Sequence, residues 1–221
     1  MQLINRIQAE VLQTFSSIPQ SSHFYLTGGT ALSYFYLKHR KSNDLDFFTA
    51  EEEIITTFSR LLEDALRSKA MRVQRQRQLH SFVELIIEGF GEATVVHLAC
   101  DAAFRFEPTR EFSTYPKLRV DSLTDIAANK LLALFGRATL RDFIDVYFLI
   151  KESGFTANVL IDKAKSKDPG FDLYWLAVAL ERMKTFKDDS VEMLLLLKPV
   201  EIKEMAAFFE QWRLNLGKDL L

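Results

Sequence analysis

The sequence predicts an α+β protein: a small mixed β-sheet domain with flanking helices over residues 1–121, then a helical domain over 122–221. Strand-like segments, short and either continuously apolar or alternating, are confined to the first part. From Ser122 onward the apolar residues recur at helical spacing instead. The proline-punctuated stretch FEPTREFSTYPKLRVDS (106–122) separates the two and receives no element.

Taken in order, Leu3, Ile4, Ile7, Val11, Leu12 and Phe15 fall on one helical face and predict a first helix over 3–15. HFYLTGG (23–29) is a short apolar strand stopped by glycines, TALSYFYLKHR (30–40) a helix, and DLDFFTA (44–50) a second strand. The segment 51–70 opens with three glutamates, where a helix dipole favours acids, and continues as a helix. Strands follow at 71–78, 81–90 and 92–101, and Gly89 and Gly91 between the last two predict an antiparallel hairpin. Helices are expected at 123–137, 140–152, about 157–167, about 172–186 and about 199–216, with Ser122 and Asp125 as an N-cap and N3 pair.

Composition narrows the function classes. With 221 residues, 48% hydrophobic and 26% charged, the chain is an ordinary globular one. Its 28 basic and 30 acidic side chains leave a net charge of −2, so any contact with a polyanion must be local. Cys100 is the only cysteine, which excludes an intramolecular disulfide and a zinc site built from several cysteines. No signal-like apolar block or membrane-length apolar run occurs, so a cytoplasmic protein without membrane contact is expected.

The chemistry concentrates in LTGGTALSYFYLKHRKSNDLDFF (26–48). Gly28 and Gly29, between a strand and a helix, permit a tight turn and bring main-chain N–H groups close to a ligand phosphate. Thr30 can cap the helix or touch a phosphate oxygen. Asp44 and Asp46 alternate with Leu45, so both carboxylates project from one strand face. Paired carboxylates suit a hard cation, Mg²⁺ or Mn²⁺, that shares its oxygen ligands with substrate phosphates. Turn, cap and strand edge would account for each piece separately. Together they form a sensible nucleotide site.

The order L-T-G-G-T-A-L, Y-L-x-H-R, S-x-D-L-D-F-F resembles the AbiEii/MenT group of nucleotidyltransferase-fold proteins, many of them toxins of bacterial toxin–antitoxin pairs. The resemblance extends through AANKLLALFGR (127–137) and RDFIDVYFL (141–149) and covers about residues 24–150. It implies a Mg²⁺-dependent transfer of an NMP from an NTP to a hydroxyl, with tRNA or another RNA as acceptor and a cognate antitoxin as partner. It also implies nucleotide-binding roles for Ser42 and Arg141, which lie inside its motifs, and a triphosphate contact for Lys130.

The residues support this independently. Lys130 falls within the apolar stripe of Leu123, Ile126, Ala127, Leu131 and Leu134, where an ammonium needs an anion or a wet cleft. Arg141, Asp142 and Asp145 cluster on another helix face, where an Arg141–Asp145 surface pair is the plain reading; the resemblance implies that one of the two aspartates completes the centre, with Asp145 favoured. His97 stands on the strand where the superfamily often has a third carboxylate, with Asp101 as a substitute at the strand end. Between Asp64 and Glu84 there is no acid but several bases; Arg72, Arg75 and Arg77 are candidate RNA contacts, the last two on one strand face. Two rivals remain open: a nucleotide-binding protein that has lost turnover and acts by sequestration, and an α/β interaction domain with no nucleotide.

Overall fold

A computed structural model describes residues 3–102 and 104–219. The fold is α+β, with one seven-stranded mixed sheet among the described residues. The chain forms two compact units: residues up to Tyr36 with Lys41–Leu123, and Leu37–Arg40 with Thr124 onward. The second unit thus takes four residues from the heart of the first stretch.

In the sheet unit, α1 (Arg6–Ser17) starts three residues later than its apolar spacing suggests, because Asn5 and Gln8 close a capping box. The chain continues through β1 (Tyr25–Thr27), the short helix α2 (Gly28–Ala31), β2 (Asp44–Thr49), α3 (Glu52–Ser68), β3 (Arg72–Leu79), β4 (Phe82–Gly89), β5 (Glu92–Cys100), β6 (Arg110–Phe112) and β7 (Tyr115–Val120). The sheet order is β3-β4-β5-β2-β1-β7-β6; β2–β5 and β1–β7 are parallel and the other pairs antiparallel. The β4–β5 hairpin turns on Phe90 and Gly91, both at positive φ, a two-residue turn that matches strand twist.

One sheet face is apolar and carries α1 and α3. Leu45, Phe47, Leu85, Val96 and Leu98 are buried on it. Phe15 of α1 stacks on Phe47 at 3.7 Å between centroids, and Phe24 and Phe58 meet Phe15 edge-on at 6.0 and 4.9 Å. Burying each such ring contributes roughly 1.5–3 kcal/mol. The opposite face bears Asp44, Asp46, Phe82, Glu84, Val95 and His97, all half-buried. Alternation therefore sends apolar residues to the helices and delivers the polar set to the other side.

Two expectations need correction here. The stretch 106–122 contains β6 and β7: Leu118 and Val120 alternate with charged or polar neighbours, and Val120 pairs with Leu26 of β1. The helix expected over 30–40 ends early. After Ala31 the backbone widens into a π-helical turn over Leu32–Leu37, then Lys38 takes φ 54° and Arg40 bridges to Leu196.

The second unit contains α4 (Leu123–Arg137), α5 (Leu140–Glu152), α6 (Ala157–Lys167), α7 (Leu173–Glu181), α8 (Val191–Leu194) and α9 (Ile202–Asp219). The helix expected to 186 tightens into a 3₁₀ turn at Arg182–Thr185, and α8 is an element the sequence did not suggest. Phe143 of α5 meets Phe209 of α9 edge-on at 4.9 Å in its core.

Candidate active site

The turn after β1 is built around Asp46. Gly28 has φ +71°, and a Cβ there would lie 2.1 Å from Asp46 Oδ2. Only glycine fits both the left-handed backbone and the contact. Thr30 is buried, and its hydroxyl donates to the Asp44 carbonyl, tying the turn to β2. The hydroxyl expected to cap the helix or touch a phosphate is thus used within the fold. Ser42 accepts from the Gln8 side chain through its carbonyl at 2.8 Å.

Asp46 lies in a row that crosses the sheet. Its register partners are Thr27 on β1 and His97 on β5; His97 pairs with Glu84 on β4, and Glu84 with Arg77 on β3. His97 Nδ1 is 2.8 Å from Asp46 Oδ1, and its Nε2 is 3.3 Å from Glu84 Oε2. The hydrogen bond to Asp46, opposed by burial, raises the imidazole above its ordinary pKa. Asp101 is elsewhere engaged: it accepts from the Tyr25 hydroxyl at 2.7 Å, and burial followed by that bond pushes the Tyr25 phenol up. Glu84, which sequence reasoning missed, is the acid that reaches His97. Its signal is visible only through strand register.

The helical unit has its own centre at Asp145. This carboxylate is fully buried and accepts from Arg40 through Nε at 2.6 Å and Nη2 at 2.8 Å, from Lys130 Nζ at 2.7 Å, and from His39 Nε2 at 2.8 Å. Burial alone would raise its pKa, but Arg40 and Lys130 outweigh burial and hold it well below the carboxylate range. Burial, the larger influence on His39, keeps that ring below its usual value against the opposing pull of Asp145. The ammonium on the apolar stripe has therefore found its anion, and Asp145 is no surface partner of the exposed Arg141.

Asp142 looks another way. Buried at the third position of α5, it accepts from the Thr139 N–H at 3.1 Å and hydroxyl, and binds Arg137 bidentately at 2.7 and 2.9 Å. Burial raises its pKa, but the Arg137 and Thr139 bonds prevail and lower it. Of the two aspartates left open by helical spacing, Asp145 is the one that holds Lys130. Asp125, expected in a cap pair, is buried against Lys167 at 2.9 Å.

The basic strand divides. A β-bulge between Arg75 and Arg77 breaks the alternation, so the two do not share a face. Arg75 turns toward α3 and is held by Glu63, Ser59 and Gln78. Arg77 pairs with Glu84 in register and lies over Phe82, while Arg72 pairs with Glu88 at 3.3 Å. Arg72 and Arg77 share the sheet face of Asp46.

The family model described as nucleotidyl transferase AbiEii toxin, type IV toxin–antitoxin system, matches residues 10–215. The chain belongs to the AbiEii family. An uncharacterized protein of Aquifex aeolicus is 27% identical to this AbiEii chain over 96% of both proteins. Among solved structures, a candidate nucleotidyltransferase of H. pylori shares 19% identity with a TM-score of 0.61, covering 97% of this chain and 92% of its own. MenT4, a nucleotidyltransferase toxin of Mycobacterium tuberculosis, shares 18% with a TM-score of 0.60, covering 96% and 82%. These likenesses establish the fold, and the AbiEii family indicates nucleotidyl transfer in general. No described helix is long and apolar enough to cross a membrane.

The residues of this AbiEii chain fit a hard divalent cation. Two carboxylates on one strand face are oxygen donors, and the Gly28 cradle that a Cβ would fill fixes one of them. Among the described residues no cluster of three or more His, Cys, Asp or Glu side chains forms a complete metal cage.

Proposed function

We propose that this AbiEii protein transfers an NMP from an NTP to a hydroxyl of an RNA acceptor, tRNA among the candidates, and releases pyrophosphate. The observation that carries the reading is the contact between Gly28 and Asp46, which joins a phosphate-approaching turn to the carboxylate pair. Asp44 and Asp46 would hold Mg²⁺ or Mn²⁺, which supplies charge stabilisation to the triphosphate. The backbone of Gly28 and Gly29 approaches the phosphates, with Ser42 close in sequence to the carboxylates. Lys130 is the proposed triphosphate contact, oriented by Asp145 acting as an anchor, and Arg141 is a further nucleotide contact. Arg72 and Arg77, on the sheet face of Asp46, would meet acceptor phosphates without reading bases. NTP and RNA substrates would suit a cytoplasmic protein, and the type IV description of the family supports a cognate antitoxin as partner.

A second reading, a nucleotide-binding protein without turnover, is favoured by one feature: His97 already engages Asp46 Oδ1. One experiment tests both. Wild type and Asp46→Ala are incubated with each α-labelled NTP, Mg²⁺ or Mn²⁺, and total tRNA. Label in an RNA product from wild type alone supports transfer; label retained by the protein without product supports sequestration; equal transfer by a folded Asp46→Ala contradicts the site.

A further inference from the structure

His97 and Glu84 are set apart by their position in the row across the sheet. Both are half-buried on the Asp46 face, with side-chain exposures of 23% and 33%, so neither is a core residue whose polarity needs silencing. The three residues occupy one register line on adjacent strands, Asp46 on β2, His97 on β5 and Glu84 on β4, which makes their contacts a consequence of strand pairing. On its Oδ2 side Asp46 abuts the α-carbon of Gly28; on its Oδ1 side it meets His97 Nδ1 at 2.8 Å. The imidazole is itself fixed, by Glu84 at Nε2 and by the Phe82 ring at 5.6 Å between centroids.

We propose that His97 and Glu84 are a positioning pair for Asp46: Glu84 orients the His97 ring, and His97 holds the Asp46 carboxylate in the rotamer that receives the divalent cation. The inference rests on the reading of Asp46 as a cation ligand. A carboxylate restrained on both sides loses little rotamer freedom when it binds, and partners of this kind typically change metal affinity or activity by about 10–100-fold. His97 thereby takes up the strand position where a further carboxylate was expected, yet acts through Asp46.

The test uses the full chain and Mn²⁺ alone, with free Mn²⁺ read by electron paramagnetic resonance and folding by thermal melts. His97→Ala should weaken Mn²⁺ binding by about 10–100-fold. His97→Asn, whose amide nitrogen can stand near the place of Nδ1, should restore most of that loss. Glu84→Gln keeps an acceptor for Nε2 and should bind like wild type, whereas Glu84→Ala should fall between wild type and His97→Ala. In transfer assays the same ranking should appear in kcat with KM for acceptor RNA unchanged. Unaltered or tighter Mn²⁺ binding by a folded His97→Ala overturns the pair, since the ring would then be neutral to the cation or compete with it. Asp46→Asn separates the two levels: if it binds Mn²⁺ as wild type does, or if wild type binds none, the cation-ligand reading fails and the pair falls with it.

Discussion

At Gly28 the requirement for glycine has two independent sources, the backbone and the neighbouring carboxylate. A φ of +71° disfavours any side chain, and the 2.1 Å approach to Asp46 Oδ2 forbids one. Gly28→Ala should therefore displace Asp46, cost about 1–3 kcal/mol in a denaturation experiment, and abolish labelled transfer. Undiminished transfer would show that the contact has no part in the site. Asp145 poses the opposite problem, a buried anion satisfied by three partners. Asp145→Asn should cost about 3–5 kcal/mol because Arg40 and Lys130 then lose their common carboxylate, whereas Lys130→Met, which leaves Arg40 in place, should cost less in stability and more in transfer. The sign with pH follows. Because the folded pKa of Asp145 is depressed, its contribution is present above the ordinary value of 3.8 and is lost as pH falls below that value through the folded one. Asp145→Asn should accordingly flatten the acid limb of the pH–stability curve. That Lys130 needed an anion was legible from its place in an apolar stripe; which anion was not, because helical spacing treats Asp142 and Asp145 alike.

Elements show why one aspartate became a cap and the other an anchor. Asp142 lies three residues after Thr139, and its bonds to the Thr139 N–H and to Arg137 close the start of α5. Asp142→Ala should cost about 1–2 kcal/mol, read as a lower melting temperature with nucleotide binding retained. This cap was available in the sequence as a Thr-x-x-Asp pattern before an apolar run, the same pattern that suggested Ser122 and Asp125. Other elements had no such signal. β6 and β7 are short, charged and interrupted by Pro116, and they are strands because β1 offers Val120 a parallel partner. The π-helical turn at Leu32–Leu37 lies in the run LSYFYL, whose large side chains fall on every side, so that a wider turn leaves no trace in periodicity. The bulge in β3 was equally hidden, and it sorts the arginines. Arg75→Glu should destabilise the fold by setting two carboxylates together at Glu63. Arg77→Glu should leave the melting temperature near wild type and reduce the salt slope of RNA retention; an unchanged slope would remove Arg77 from the acceptor surface.

At the scale of the whole molecule, the units are not consecutive pieces of chain. The sequence placed a border near residue 121 and read the segment through Arg40 as the end of a helix, but Leu37–Arg40 groups with the helices that follow Thr124. The cause is local and electrostatic. Lys38 adopts φ 54°, His39 and Arg40 leave the helix, and both bind Asp145, while Arg40 bridges Leu196 and the His39 carbonyl accepts from Leu197 at 2.8 Å. A fragment of residues 124–221 would keep all of α5 but only one of the three partners of Asp145. Breaking a buried pair in this way costs more than the Coulombic gain it removes, because the anion stays in a low-dielectric site. The isolated fragment should therefore melt broadly and at low temperature by circular dichroism. Asp145→Leu combined with Lys130→Met within that fragment should sharpen and raise the transition, the reverse of what the same pair of substitutions does in the full chain, where Arg40 would be stranded. If the fragment melts as cooperatively as the full chain and the double substitution lowers its transition, the 37–40 segment is a bystander. The helical unit would then owe its stability to its apolar core, in which Phe143 meets Phe209.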